Sequence, residues 1–123
     1  MPMTEDDRPE MLTGPTYEVR YELEHGTNKP LYVTVNQLNG KPVELLARCD
    51  EAEMFEWVAL AMVQSTRLLT MGVPLLEVAR DMQEIHSPRT AHHIPGGGGR
   101  CPSIAARIGK VLEQHVLDSE GGG

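Results

Sequence analysis

Asn39-Gly40 is the feature that most narrows what this chain can become. It stands between Leu31-Tyr32-Val33-Thr34-Val35-Asn36, rich in β-branched side chains, and Pro42-Val43-Glu44-Leu45-Leu46-Ala47-Arg48. A two-residue type I′ turn needs positive φ at both central positions, and Asn-Gly accepts that with little strain. The two runs are therefore expected to pair as an antiparallel hairpin, with Pro42 tolerated at a strand entrance. Upstream, Tyr17-Glu18-Val19-Arg20-Tyr21-Glu22-Leu23 alternates strictly, which puts Tyr17, Val19, Tyr21 and Leu23 on one face of a half-buried strand.

The remainder follows helical spacing. Asp50 is the expected N-cap, and Glu51 and Glu53 in the first turn complement the helix dipole. That helix is predicted over Glu51 to Met71 and stops at Gly72. Pro74 opens a second helix, Leu75 to Ile85, with Leu75, Val78, Ala79 and Met82 as its buried stripe. His86 to Arg100 is expected to be irregular. Pro102 leads into a last helix, Ile104 to Leu117, with Ile104, Ala105, Ile108, Val111 and Leu112 turned inward.

The fold class is α+β: a three-stranded antiparallel sheet followed by three helices. One domain is expected over 14–117, between a disordered acidic arm, 1–13, and a disordered tail, 118–123. Phe55 and Trp57 to Val63 cover most of the first helix's circumference. A helix apolar all round must be covered on all sides, so this one is expected at an oligomer interface, making the protein a homo-oligomer. Met54, Met62, Met71 and Met82 are expected to fill gaps in the core.

A net charge of −7 argues against a nucleic-acid polymer as partner, and one Phe, one Trp and three Tyr are too few for a base-stacking platform. Met1 to Glu10 is acidic and polar where a signal peptide needs an apolar run, and Trp57 to Val63 is far too short to span a membrane. Cys49 and Cys101 form no CxxC pair. A cytoplasmic protein is expected.

The order of motifs resembles the TSCPD domain, a module found at the C-terminus of adenosylcobalamin-dependent ribonucleotide reductases and as small stand-alone proteins. The hairpin Leu31 to Asn36 with Asn39-Gly40-Lys41-Pro42-Val43-Glu44 resembles the family's opening. Ala59 to Gly72, ending Arg67-Leu68-Leu69-Thr70-Met71-Gly72-Val73-Pro74, resembles its long helix and Gly-x-Pro break, and Leu76 to Ile85 its next helix. Arg100-Cys101-Pro102-Ser103-Ile104-Ala105 lies where Thr-Ser-Cys-Pro-Asp leads into the family's last helix. The likeness spans Tyr17 to Leu112. Cys-Pro is kept, whereas Gly99 and Arg100 replace Thr-Ser and Ser103 replaces Asp. The resemblance implies a small accessory module tied to nucleotide metabolism, viral or bacterial in setting. The reductase's barrel, radical cysteine and cobalamin site have no room in so short a chain.

The segment His92-His93-Ile94-Pro95-Gly96-Gly97-Gly98-Gly99-Arg100-Cys101-Pro102-Ser103 carries the candidate chemistry. A helix start presents unpaired N–H groups and the positive dipole end, which attract anions. Ligand contacts are therefore expected from Gly98, Gly99, Arg100, Cys101, Ser103 and Ile104. His92 or His93 would close over a nucleotide-like phosphate ligand, tightening as pH falls towards about 6.5. The competing reading is a slack glycine connector before a packing helix. Gly96 to Gly99 match neither a P-loop nor a dinucleotide fingerprint. Zinc held by Cys49, Cys101, His86, His92 and His93 has the right ligand types but no standard spacing. Cys101 as a nucleophile with a histidine base lacks a third orienting group. The expectation is a non-catalytic nucleotide-binding module with no cofactor and no metal. The alternatives are a protein that sequesters nucleotide signals against host defence, and a subunit docking on the reductase large subunit without a ligand.

Overall fold

The computed structural model describes residues 12–22, 28–49, 52–87, 90–94 and 99–121. Three antiparallel strands form the main sheet in the order β1 (Thr16–Glu22), β2 (Asn28–Leu38), β3 (Lys41–Cys49). Asn39 and Gly40 take φ of +53° and +77°, as the hairpin turn requires. Pairing runs from Leu31 opposite Cys49 to Leu38 opposite Lys41, with a register shift between Asn36 and Gln37. Pro42 pairs with Gln37 at that irregularity, where a residue without an N–H is easily accommodated. Val35 N–H to Pro15 C=O and Gln37 N–H to Thr13 C=O carry the β1 side three residues beyond the strand. Thr13 thus belongs to the sheet margin, one residue inside the segment expected to be a free arm; residues 1–11 of that arm lie outside the described residues.

Three helices follow: α1 (Ala52–Thr70), α2 (Leu75–Gln83) and α3 (Ile104–Gly121). The proposed cap Asp50, and Glu51, lie outside the described residues. Pro74 occupies the N-cap of α2 with extended backbone, and Leu75, Val78, Ala79 and Met82 are all buried, as their spacing predicts. Between α2 and α3, the stretch expected to be irregular contains a short antiparallel pair, β4 (His92–His93) with β5 (Arg100–Cys101). Two residues per strand are too few to produce a readable period. Helix α3 continues through 118–121, into the segment expected to be a disordered tail.

The core forms where β2 and β3 turn Leu31, Val33, Val35, Val43 and Leu45 inward against Val58, Met62 and Leu69 of α1 and Ile104, Ile108 and Leu112 of α3. Helix α1 lies along β3, an edge strand. The Thr66 hydroxyl accepts from Leu45 N–H at 2.9 Å and donates to Leu45 C=O at 3.2 Å. One side chain thereby satisfies both backbone groups on an otherwise open edge. Flanking the sheet leaves α1 with an outward side, and Met71 lies on it, exposed, where a core position was expected.

Candidate functional site

The head of α3 is built by neighbours on both sides. Ser103 is its N-cap: the hydroxyl accepts from Ala106 N–H at 2.9 Å and donates to Ile85 C=O at 2.7 Å. Thr90 Oγ1 accepts from Ile104 N–H at 3.2 Å, and Ser87 N–H donates to Pro102 C=O at 2.9 Å. Two of the first three amides of α3 thus have protein partners. The Ala105 amide between them has none among the described residues. The amide cradle expected from the sequence is largely occupied by the protein's own hydroxyls, because Ser103 and Thr90 are folded against it.

The β4–β5 pair sorts the other expected residues onto two sides. His93 is opposite Arg100, and both are exposed, as is Gly99. His92 is opposite Cys101, and both are buried, at 2% and 0% exposure. Ser103 and Ile104 are buried too. Gly98 lies outside the described residues. The segment that looked contiguous in sequence is thereby divided into a solvent side, carrying Arg100 and His93, and an interior side.

The interior side holds a residue that sequence reasoning missed. Arg107 of α3 is only 7% exposed, and its Nη1 donates to His92 Nε2 at 3.1 Å. His92 Nδ1–H donates to Thr90 C=O at 2.9 Å, which leaves Nε2 as the lone-pair acceptor Arg107 needs. Burial chiefly pushes His92 below its ordinary value; Arg107, Arg100 and the neighbouring His93 add to this, while the Thr90 carbonyl opposes it. Burial likewise lowers Arg107, with Cys101 opposing. His92 is therefore a neutral structural acceptor with both ring nitrogens engaged. It does not serve as the imidazole expected to close over a ligand and charge in mild acid. The Cys101 thiol, fully buried, donates to Ser103 C=O at 3.3 Å, an arrangement that does not present sulfur to a substrate. Among the described residues, no three His, Cys, Asp or Glu side chains converge as a metal ion requires.

A second histidine without a clear sequence signal, His115 of α3, is buried between β1 and β2. It bonds Tyr17 Oη through Nδ1 and accepts from Gln37 Nε2 at 3.1 Å. Burial lowers its pKa, opposed by Asp118.

A cleft of about 220 Å³ lies between α1 and the head of α3. Met54, Trp57, Val58, Ala61 and Met62 form one wall, and Met82, Ile104, Ala105 and Ile108 face them. Ser87, Thr90 and Ser103 bring the few polar groups. An apolar hollow with a small set of placed hydroxyls is the usual form of a small-molecule site.

Sheet, flanking helix and helix-capped cleft define a small α+β module without a preformed catalytic constellation among the described residues. The chain belongs to the TSCPD domain family, whose model matches residues 6–116 of 123. Membership ties it to modules related to ribonucleotide reductase. No curated protein and no solved structure matches the chain. Among the described residues, no helix is long and apolar enough to cross a membrane.

Proposed function

We propose that this chain is a non-catalytic binding module that takes a nucleotide-like ligand, with the base in the cleft at the head of α3. The cleft carries this reading. Its thioethers and the Trp57 indole suit a flat, polarisable ring, and the hydroxyls of Ser87 and Thr90 offer hydrogen bonds to its edge. At about 220 Å³ it is smaller than sites that swallow a whole drug-sized ligand, so sugar and phosphate remain at the mouth. There the positive end of α3 favours negative charge, and Arg100, exposed on β5, is the forked donor assigned to phosphate in this reading.

Trp57 is the only tryptophan, so its emission reports on the cleft directly. Titration with a panel of nucleoside mono-, di- and triphosphates is expected to give saturable quenching and a raised melting temperature. Arg100→Ala is expected to weaken phosphorylated ligands by about 1.5–3 kcal/mol and leave free nucleosides unaffected. Absence of quenching and of thermal stabilisation across the panel defeats the proposal. A second reading, docking on the reductase large subunit, is favoured by the exposed apolar side of α1. Co-purification with that subunit and indifference to every nucleotide are its signature.

A further inference from the structure

The outward side of α1 is largely apolar and has no partner among the described residues. Trp57, Leu60, Val63 and Met71 are 73%, 50%, 64% and 61% exposed, whereas Val58, Met62, Ser65 and Leu69 on the opposite side are buried. A monomer seldom leaves so continuous an apolar strip in water. Two charged side chains interrupt the strip, Glu56 towards one end and Arg67 towards the other. Both are exposed, and neither has an ion-pair partner among the described residues.

We propose that α1 pairs with α1 of a second copy of this chain, antiparallel, about a two-fold axis passing between Ala61 and Met62. A two-fold interface must be self-complementary, because each residue meets a partner whose own counterpart returns the contact. Glu56, Leu60, Val63 and Arg67 satisfy that requirement. Reversal about the stated point brings Glu56 opposite Arg67 of the other copy at both ends. It brings Leu60 opposite Val63 at both central positions, and both are exposed. A parallel pairing in register instead sets Glu56 against Glu56 and Arg67 against Arg67. The paired stretch from Glu56 to Arg67 is about 17 Å long, so the contact extends over about three turns. Charge pattern therefore selects both the partner and its direction, independently of whether the cleft binds a nucleotide.

Sedimentation velocity on the full chain over a concentration series tests this. A dimer is expected. Leu60→Gln with Val63→Gln is expected to give a folded monomer, with circular dichroism showing that the helices persist. Glu56→Arg alone and Arg67→Glu alone are each expected to raise the dimer dissociation constant roughly tenfold, since each reverses two ion pairs. The two together are expected to restore it. A monomer at every concentration overturns the proposal. So does a dimer indifferent to the Gln pair, or one in which the double reversal fails to rescue the single ones. A chain that associates only with another protein, through the same residues, overturns it as well.

Discussion

At the scale of single residues, the head of α3 shows how a sequence suited to an anion site becomes partly self-satisfied. Ser103 replaces the aspartate of the family motif and still caps the helix, while passing its own proton to Ile85 C=O. That second bond ties α3 to the end of α2. The buried His92 and His115 have a measurable consequence. Both are held below the ordinary histidine value, chiefly by burial, so the folded chain resists protons that the unfolded chain accepts. Above about pH 6.5 both states are neutral at these sites, and stability from this source is complete; it is lost as pH falls below that value. The urea midpoint is expected to drop between about pH 7 and pH 5, and to drop less steeply in His92→Gln and in His115→Gln. A midpoint that is flat across the window, or a slope unchanged by both substitutions, contradicts it.

At the scale of elements, α2 and α3 pack unusually closely. A Cβ added at Gly109 would lie 2.5 Å from Ala79 C=O, a backbone atom that cannot swing aside. Gly109→Ala improves intrinsic helix propensity by about 1 kcal/mol, yet the overlap must push the helices apart. Net destabilisation of about 1–3 kcal/mol is expected in chemical denaturation, and a neutral or stabilised variant contradicts the close crossing. What sequence alone revealed follows the same local logic. The hairpin and the α2 stripe were legible because turn chemistry and period state them within a few residues. The β4–β5 pair was not, since its two-residue strands are held by surrounding structure. Arg107 was hidden for a related reason: a charged residue near apolar Ile104 and Ile108 looks like a solvent-facing neighbour until the fold closes His92 over it. The cleft brings Met54 and Trp57 against Ile104 and Ala105, a juxtaposition across some 50 residues that no local pattern records.

At the scale of the whole molecule, Trp57 belongs to two surfaces at once. It lines the cleft and forms part of the outward strip of α1. A base packed in the cleft fixes the indole before a second copy arrives, and a second copy fixes it before a base arrives. Ordering such a side chain costs about 0.5–1.5 kcal/mol, and when both partners bind, that cost is incurred once. The two events are therefore linked with positive sign, and the linkage is reciprocal. Saturating nucleotide is expected to lower the dimer dissociation constant roughly two- to tenfold per indole. The monomeric chain carrying Leu60→Gln with Val63→Gln is expected to bind the same nucleotide more weakly by the corresponding factor. Sedimentation with and without nucleotide gives the first quantity, and Trp57 quenching in the monomeric variant gives the second. Unequal factors break the thermodynamic cycle, and two factors of one assign the indole to a single surface, so that binding and pairing proceed independently.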